Sequence, residues 1–166
     1  MHSKQTPSSA PAITLRAFTK EDYPFVRELY ASTRSEEMAM VPWTDEQRRM
    51  FVEAQFKAQL DHYQQHYSEA THDLILKNDQ PVGRLYVSRS DLEIEILDII
   101  IIPQERNAGI GYFLLQQILA EGERDHKTVG IYVESFNPSL QFFKRLGFAE
   151  VEIDGFQVHL RWTPTA

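Results

Sequence analysis

Residues 99–119 read IIIIPQERNAGIGYFLLQQIL. The four isoleucines at 99–102 have the apolar continuity of a strand buried on both faces. Pro103 closes the run, since proline has no N–H to give a ladder. A polar turn carrying Gly109 and Gly111 then leads into an apolar helical pattern. A helix start needs no glycine, and glycine there costs backbone entropy. Two readings are open for R-x-x-G-x-G at Arg106, Gly109 and Gly111. The glycines allow either close helix–sheet packing or the approach of another molecule to the main chain. A helix N-terminus has unpaired N–H groups and the positive end of the dipole, so phosphate suits the second reading.

Residues 13–19 (ITLRAFT) alternate as a strand with Ile13, Leu15 and Ala17 on one face. Thr19 is placed to cap a helix through YPFVRELY. After a polar loop with Pro42, a second helix is expected from about Asp45. Its stripes are Phe56, Leu60, Tyr63 and Tyr67, and beside them Phe51, Ala54 and Ala58. From residue 71 the period changes to two, giving strands in THDLILKN, PVGRLYVSR and LEIEILDIIII, the first pair joined by Asn78-Asp79-Gln80. The helix 109–125 is followed by a strand (TVGIYVES) and a short helix ending at Gly147. Two last strands flank Asp154-Gly155, a hairpin signal. The order β-α-α-β-β-β-α-β-α-β-β predicts a mixed α/β sheet with helices on its faces.

The 166 residues suit one domain, expected over 13–166, with 1–12 a flexible polar N-terminal tail. That start has no apolar stretch of the secretory kind, and no run approaches the roughly 20 apolar residues of a membrane span. A cytoplasmic location and no membrane partner are therefore expected. Without cysteine, thiolate chemistry and thiolate metal sites are excluded. The formal charge of −7 argues against nucleic acid as a partner and accords with a cationic substrate, though solubility alone explains an acidic balance.

Nucleotide motifs of two common kinds do not fit the turn. A P-loop needs Gly-Lys-Ser/Thr where the chain has Ile110-Gly111-Tyr112. A dinucleotide fingerprint needs a third glycine where Leu114 stands. Downstream, Asn137-Pro138 and FFKRLGF at 142–148 supply a second motif, N…(Y)-x-x-x-G-F. With both motifs in order, residues 13–162 resemble the GNAT superfamily of acetyl-CoA-dependent N-acetyltransferases.

The resemblance implies a GNAT-like acyl-CoA N-acyltransferase fold with acetyl-CoA as co-substrate and no metal. It implies transfer of acetyl to a primary amine of a small-molecule or peptide acceptor by direct attack in a ternary complex. It also leaves room for a non-catalytic acyl-CoA-binding module and for a homodimer. Arg106, Asn107, Ala108, Gly109, Ile110 and Gly111 would wrap the CoA pyrophosphate through main-chain N–H groups. The central strand would part from its neighbour, with Ile99 and Ile101 facing the pantetheine and an N–H there, by preference that of Ile101, stabilising the oxyanion.

A base is needed to deprotonate the acceptor ammonium. Residues 93–98 (EIEILD) offer Glu95, which shares the parity of Leu97, Ile99 and Ile101, and Asp98, on the opposite face unless a bulge intervenes. Glu93 is read as lying at the solvated end of the sheet. Asn137 is expected to contact the pantetheine or to cap the last helix. Phe143 stands where many relatives carry a tyrosine that protonates the leaving thiolate. Tyr132 or water would have to replace it, or the thiolate, with a pKa of about 8.5, leaves unprotonated. Further substrate candidates are Arg84, Tyr86, Tyr30, Glu36, Glu37 and Trp43. His62 and His66 have the i,i+4 spacing of a metal pair but no third ligand, which favours a solvated helix face.

Overall fold

The computed structural model describes residues 11–165. Seven strands form one sheet: β1 (Ile13–Ala17), β2 (Thr71–Lys77), β3 (Gln80–Arg89), β4 (Glu93–Ile101), β5 (Thr128–Glu134), β6 (Ala149–Asp154) and β7 (Gln157–Trp162). The strands lie in the order β1-β2-β3-β4-β5-β7-β6. Every neighbouring pair is antiparallel except β4–β5, which is parallel. The helices are α1 (Tyr23–Ser32), α2 (Ser35–Ala39), α3 (Asp45–His66), α4 (Ile110–Asp125) and α5 (Ser139–Arg145). The mixed α/β order is the one expected, with α2 added inside the stretch read as a polar loop. Residues 1–10 of the predicted tail lie outside the described residues. Ala12 already belongs to the sheet edge, where its carbonyl accepts from Asn78 N (2.9 Å) and its N–H donates to Asn78 Oδ1 (3.1 Å).

Local signals account for most boundaries. Thr44 Oγ1 accepts from Gln47 N (3.1 Å) and Gln47 Oε1 from Thr44 N (2.9 Å), a capping box that starts α3 at Asp45. Between β2 and β3, Asn78 and Asp79 both have positive φ (49° and 68°), the signature of a two-residue type I′ turn. The final hairpin turns one residue later than expected. Asp154 still pairs with Gln157, so Gly155 and Phe156 form the loop, with Gly155 at φ 63°.

Two cores lie on opposite faces of the sheet. On one, Ile94, Ile96, Ile131 and Leu160 pack beneath Leu115 of α4 and Phe143 of α5. On the other, Leu74 and Tyr86 pack beneath Val26 of α1 and Phe56 and Leu60 of α3. The stripe α3 buries is Val52, Phe56 and Leu60. Phe51, read as part of that face, is 39 % exposed and meets Trp43 edge-on at 5.2 Å. Leu15 is likewise 43 % exposed, because β1 is an edge strand with little above it.

Under α1 and α3, the His72 ring is stacked between Phe18 and Tyr86, each centroid 4.3 Å away, and its Nε2 is buried without a partner. Burial, and then the Arg84 cation, lower its pKa from 6.5 to about 3. Below about pH 6.5 the unfolded chain binds a proton that the native ring refuses. Stability should therefore drop as pH falls from there towards about 3, by up to about 1.4 kcal/mol per pH unit. His72→Phe keeps an aromatic ring in the stack and removes the proton site. Urea unfolding at about pH 7.5 and about pH 5 should show a smaller acid loss in the variant than in the wild type.

Candidate active site

The parallel ladder between β4 and β5 is short. It runs from Glu93 opposite Thr128 to Ile96 opposite Ile131 and stops, although β4 continues to Ile101 and β5 to Glu134. Beyond that point β5 remains paired only with β7, and a gap opens between the strands. A bulge sits at the parting. Tyr86 faces Asp98 while Val87 faces Ile96, so Leu97 is one residue too many for β3. The Tyr63 hydroxyl of α3 donates to the Leu97 carbonyl (2.9 Å) and satisfies it there.

Main-chain directions along the open segment follow from one hydrogen bond. Ile102 N–H donates to Val82 O on β3 (2.8 Å). Alternation then turns the backbone groups of Ile100 towards β3 and those of Ile99 and Ile101 towards the gap. The Ile101 carbonyl accepts there from Arg106 Nε (2.9 Å). By the same alternation the N–H groups of Ile99 and Ile101, the two residues expected to face the pantetheine, both point into the gap.

The bulge also corrects the expected parity. Ile99 and Ile101 pack towards the core beneath α4, whereas Glu95 does not share their face. Glu95 and Asp98 instead both lie on the α3 side. Asp98 accepts from Arg84, through Nε (3.1 Å) and Nη2. Arg84 is completely buried, donates to Gln59 Oε1 of α3 (2.6 Å), and lies over Phe56 at 5.5 Å. Burying a cation without a counter-charge is costly, so Asp98 is committed to Arg84.

Glu95 has no such commitment. It lines a cleft of ≈ 190 Å³ with Tyr67, Ser88, Ser90, Glu93, Tyr132 and His159. Its carboxyl is pushed above the ordinary value by burial, an effect opposed by His159. His159 Nε2 lies 3.5 Å from Glu95 Oε1. Tyr132 is 49 % exposed and stacks on the His159 ring at 4.2 Å.

At the other end of the gap stands the glycine turn. Asn107 and Gly109 have positive φ (63° and 86°), and Gly109 precedes the first residue of α4. A Cβ added at Gly109 or at Gly111 would meet nothing within 4 Å. Close packing on the sheet is therefore not what Gly111 provides. Ile110 anchors the helix by its buried side chain, which leaves the N–H groups of the first turn over open space. Beside them Tyr112, Gln116, Phe142, Arg145 and Leu146 line a second cleft of ≈ 430 Å³ between α4 and α5. The donors and the clearance fit a pyrophosphate. The Arg106 side chain turns instead to Ile101 O and to Ser32 Oγ at the end of α1 (3.5 Å).

The remaining candidates separate. Asn137 Oδ1 accepts from Ser139 N (2.9 Å), which is the helix-start role. Phe143 is 4 % exposed and packs edge-on to Phe148 at 5.4 Å. Tyr30 and Tyr86 are buried, the Tyr30 hydroxyl accepting from Arg34 Nε (3.3 Å). Glu36 and Glu37 lie on α2, with Glu37 paired to Arg34. His62 and His66 stack on each other at 4.2 Å on the outer side of α3. His159 was not among the residues singled out from the sequence. Only the register of β7 on β5, which sets His159 opposite Tyr132, brings it to Glu95.

A sheet of this order, opened at its one parallel pair beside a glycine-lined helix start, defines an acetyltransferase class of fold. Residues 32–166 match the family described as acetyltransferase (GNAT) domain, and the chain belongs to that family. Among solved structures it is similar to the PaiA N-acetyltransferase from Thermoplasma acidophilum in complex with coenzyme A. That match has 15 % identity, a TM-score of 0.66, and covers 92 % of this chain and 99 % of the other. It is also similar to the ribosomal-protein-S18-alanine N-acetyltransferase from Escherichia coli, at 16 % identity and TM-score 0.62 over 93 % and 96 % of the two chains. An acetyltransferase from Thermus thermophilus matches at 17 % identity and TM-score 0.65 over 91 % and 96 %. No curated protein matches the chain by sequence. Among the described residues no helix is long and apolar enough to cross a membrane.

Gly111 offers a test of the phosphate site that separates it from folding. Gly111→Ala should leave the fold as stable or raise its stability by about 0.4–1 kcal/mol, since the backbone is ordinary and the space is open. Gly111→Trp should stay folded while calorimetric CoA affinity falls by about tenfold or more, equivalent to about 1.4 kcal/mol.

Proposed function

We propose that the chain is an N-acetyltransferase that moves the acetyl group of acetyl-CoA to a primary amine by direct attack in a ternary complex. The observation that carries this reading is the pairing of two features along one strand. The β4–β5 ladder ends at Ile96 and Ile131, and the open glycine turn stands where β4 passes into α4.

In this mechanism the N–H groups around Gly109 and Gly111, with the positive end of the α4 dipole, bind the pyrophosphate. The gap beside 99–101 admits the pantetheine arm as if it were a strand. The N–H of Ile99 or Ile101 donates to the thioester oxygen and strengthens that bond as negative charge develops in the tetrahedral intermediate. Glu95, one residue before the last paired position, takes a proton from the acceptor ammonium, directly or through water. Burial raises its pKa, which brings it closer to the acceptor's. The nitrogen lone pair then attacks the acetyl carbon, and the thiolate departs. Phe143 has no proton to give, so the thiolate, with a pKa of about 8.5, takes its proton from water or leaves as the anion. Glu93 and Glu95 at the cleft favour a cationic acceptor, either a small amine or a peptide amine.

Phe143 also supports a second reading, a non-catalytic acyl-CoA-binding module. Thiol release from acetyl-CoA across a panel of peptide N-termini, lysine, polyamines and amino-acid analogues decides between them. Turnover with any member supports the transferase; tight CoA binding with no turnover supports the module. With an active amine, Glu95→Gln should lower kcat/KM by about 100-fold or more while the fold is kept. In the wild type, kcat/KM should fall as pH drops through a midpoint above the ordinary carboxylate value, because ionised Glu95 is the active form. Asp98→Asn should act differently, costing about 3–5 kcal/mol of stability by leaving the Arg84 cation uncompensated. Chemical unfolding of the two variants separates the base from the structural acid.

A further inference from the structure

Two buried polar atoms at the apex of the gap lack partners: Glu95 Oε2 and His159 Nε2. Buried carboxylates and imidazoles are ordinarily satisfied, and each exception calls for an explanation. Here the facing atoms, Glu95 Oε1 and His159 Nε2, stand 3.5 Å apart, just beyond ordinary hydrogen-bond length. The chain is built around this contact. Gly130, opposite Glu95 in β5, carries no Cβ, and one placed there would lie 2.5 Å from Glu95 Oε1 and 3.0 Å from His159 Nε2. Glycine inside a strand weakens it, and here the clearance serves the two side chains alone. Tyr132 holds the His159 ring by stacking at an interplanar angle of 9°. Both side chains line the same cleft.

We infer that Glu95 and His159 work as one proton-handling unit, in which His159 is a positioning residue that tunes and then unloads the Glu95 carboxylate. This rests on the transferase reading for its catalytic consequence. The acceptor N–H bond breaks, its electron pair stays on nitrogen, and an O–H bond forms at Glu95. The proton then passes from Glu95 to neutral His159 Nε2, giving an imidazolium that returns a proton to water. The carboxylate is thereby regenerated without opening the site. When it carries that proton, the His159 ring also opposes the effect of burial on the Glu95 carboxyl. The other titratable groups facing the pair are Glu93 on β4, Tyr132 on β5, Glu152 on β6 opposite His159, Arg161 on β7, and Tyr67 at the end of α3.

Carbon-13 titration of the Glu95 side-chain carboxyl, assigned by its absence in Glu95→Gln, reads this unit in the full chain without knowledge of the acceptor. In the wild type, the Glu95 carboxyl should titrate in two coupled steps. In His159→Phe, which keeps the stack on Tyr132, Glu95 should titrate in one step, displaced upward by about one pH unit. His159→Gln keeps a hydrogen-bonding end but no proton site, and should give the same displacement. With an active amine, the acidic limb of kcat/KM should move upward by the same amount. An unmoved Glu95 midpoint in both variants overturns the proposal, as does a loss confined to KM with an unchanged pH profile. Coupled titration with no turnover by any amine supports the pair but sinks the transferase reading. Turnover with uncoupled titration sinks the pair alone.

Discussion

The parting of β4 from β5 is the constraint on which the rest of the site depends. A strand inside a sheet gives up ladder hydrogen bonds only if its main chain is satisfied in another way. At the parting, Tyr63 takes over the Leu97 carbonyl and Arg106 the Ile101 carbonyl. The extra residue at Leu97 bends the strand and reverses its parity, so Glu95 and Asp98 come to one face while Ile99 and Ile101 keep to the other. One inserted residue thus sets acid chemistry, an unpaired N–H and a gap within a few residues of one another.

Charge placement then separates two acids that look alike in sequence. Asp98 neutralises Arg84, the one buried charged or polar residue among the described core residues, and Gln59 and the Phe56 ring also contact that cation. Removing either partner would leave the other charge without compensation. Glu95 is in no close ion pair; among the described residues its one partner within salt-bridge range is His159, 3.5 Å away. The acid that is held firmly supports the bulge, and the acid that is held loosely faces the cleft.

Much of the fold was legible because its signals are local. The capping box at Thr44 and Gln47, the turn at Asn78 and Asp79, and the change of period at residue 71 each depend on neighbours a few residues away. Phe51 and Leu15 depart from the expected burial because burial depends on what lies above a face. The Gly155–Phe156 turn moved by one residue because pairing between β6 and β7, with its irregularity at Val151, sets the register.

For the site, the sequence alone determined the glycine turn and the acids of β4, since each lies within a contiguous stretch whose chemistry is written in its residue types. It left the role of the glycines open. Tertiary structure removed the packing explanation, because a Cβ at Gly111 would meet only space. It alone placed the bulge at Leu97, since a bulge is a mismatch between two strands and has no existence in one. It alone brought His159 to Glu95 through Gly130, across three strands distant in sequence. Spacing along a chain reports which groups share an element. Which groups share a proton depends on strand register and on the room a neighbouring residue leaves.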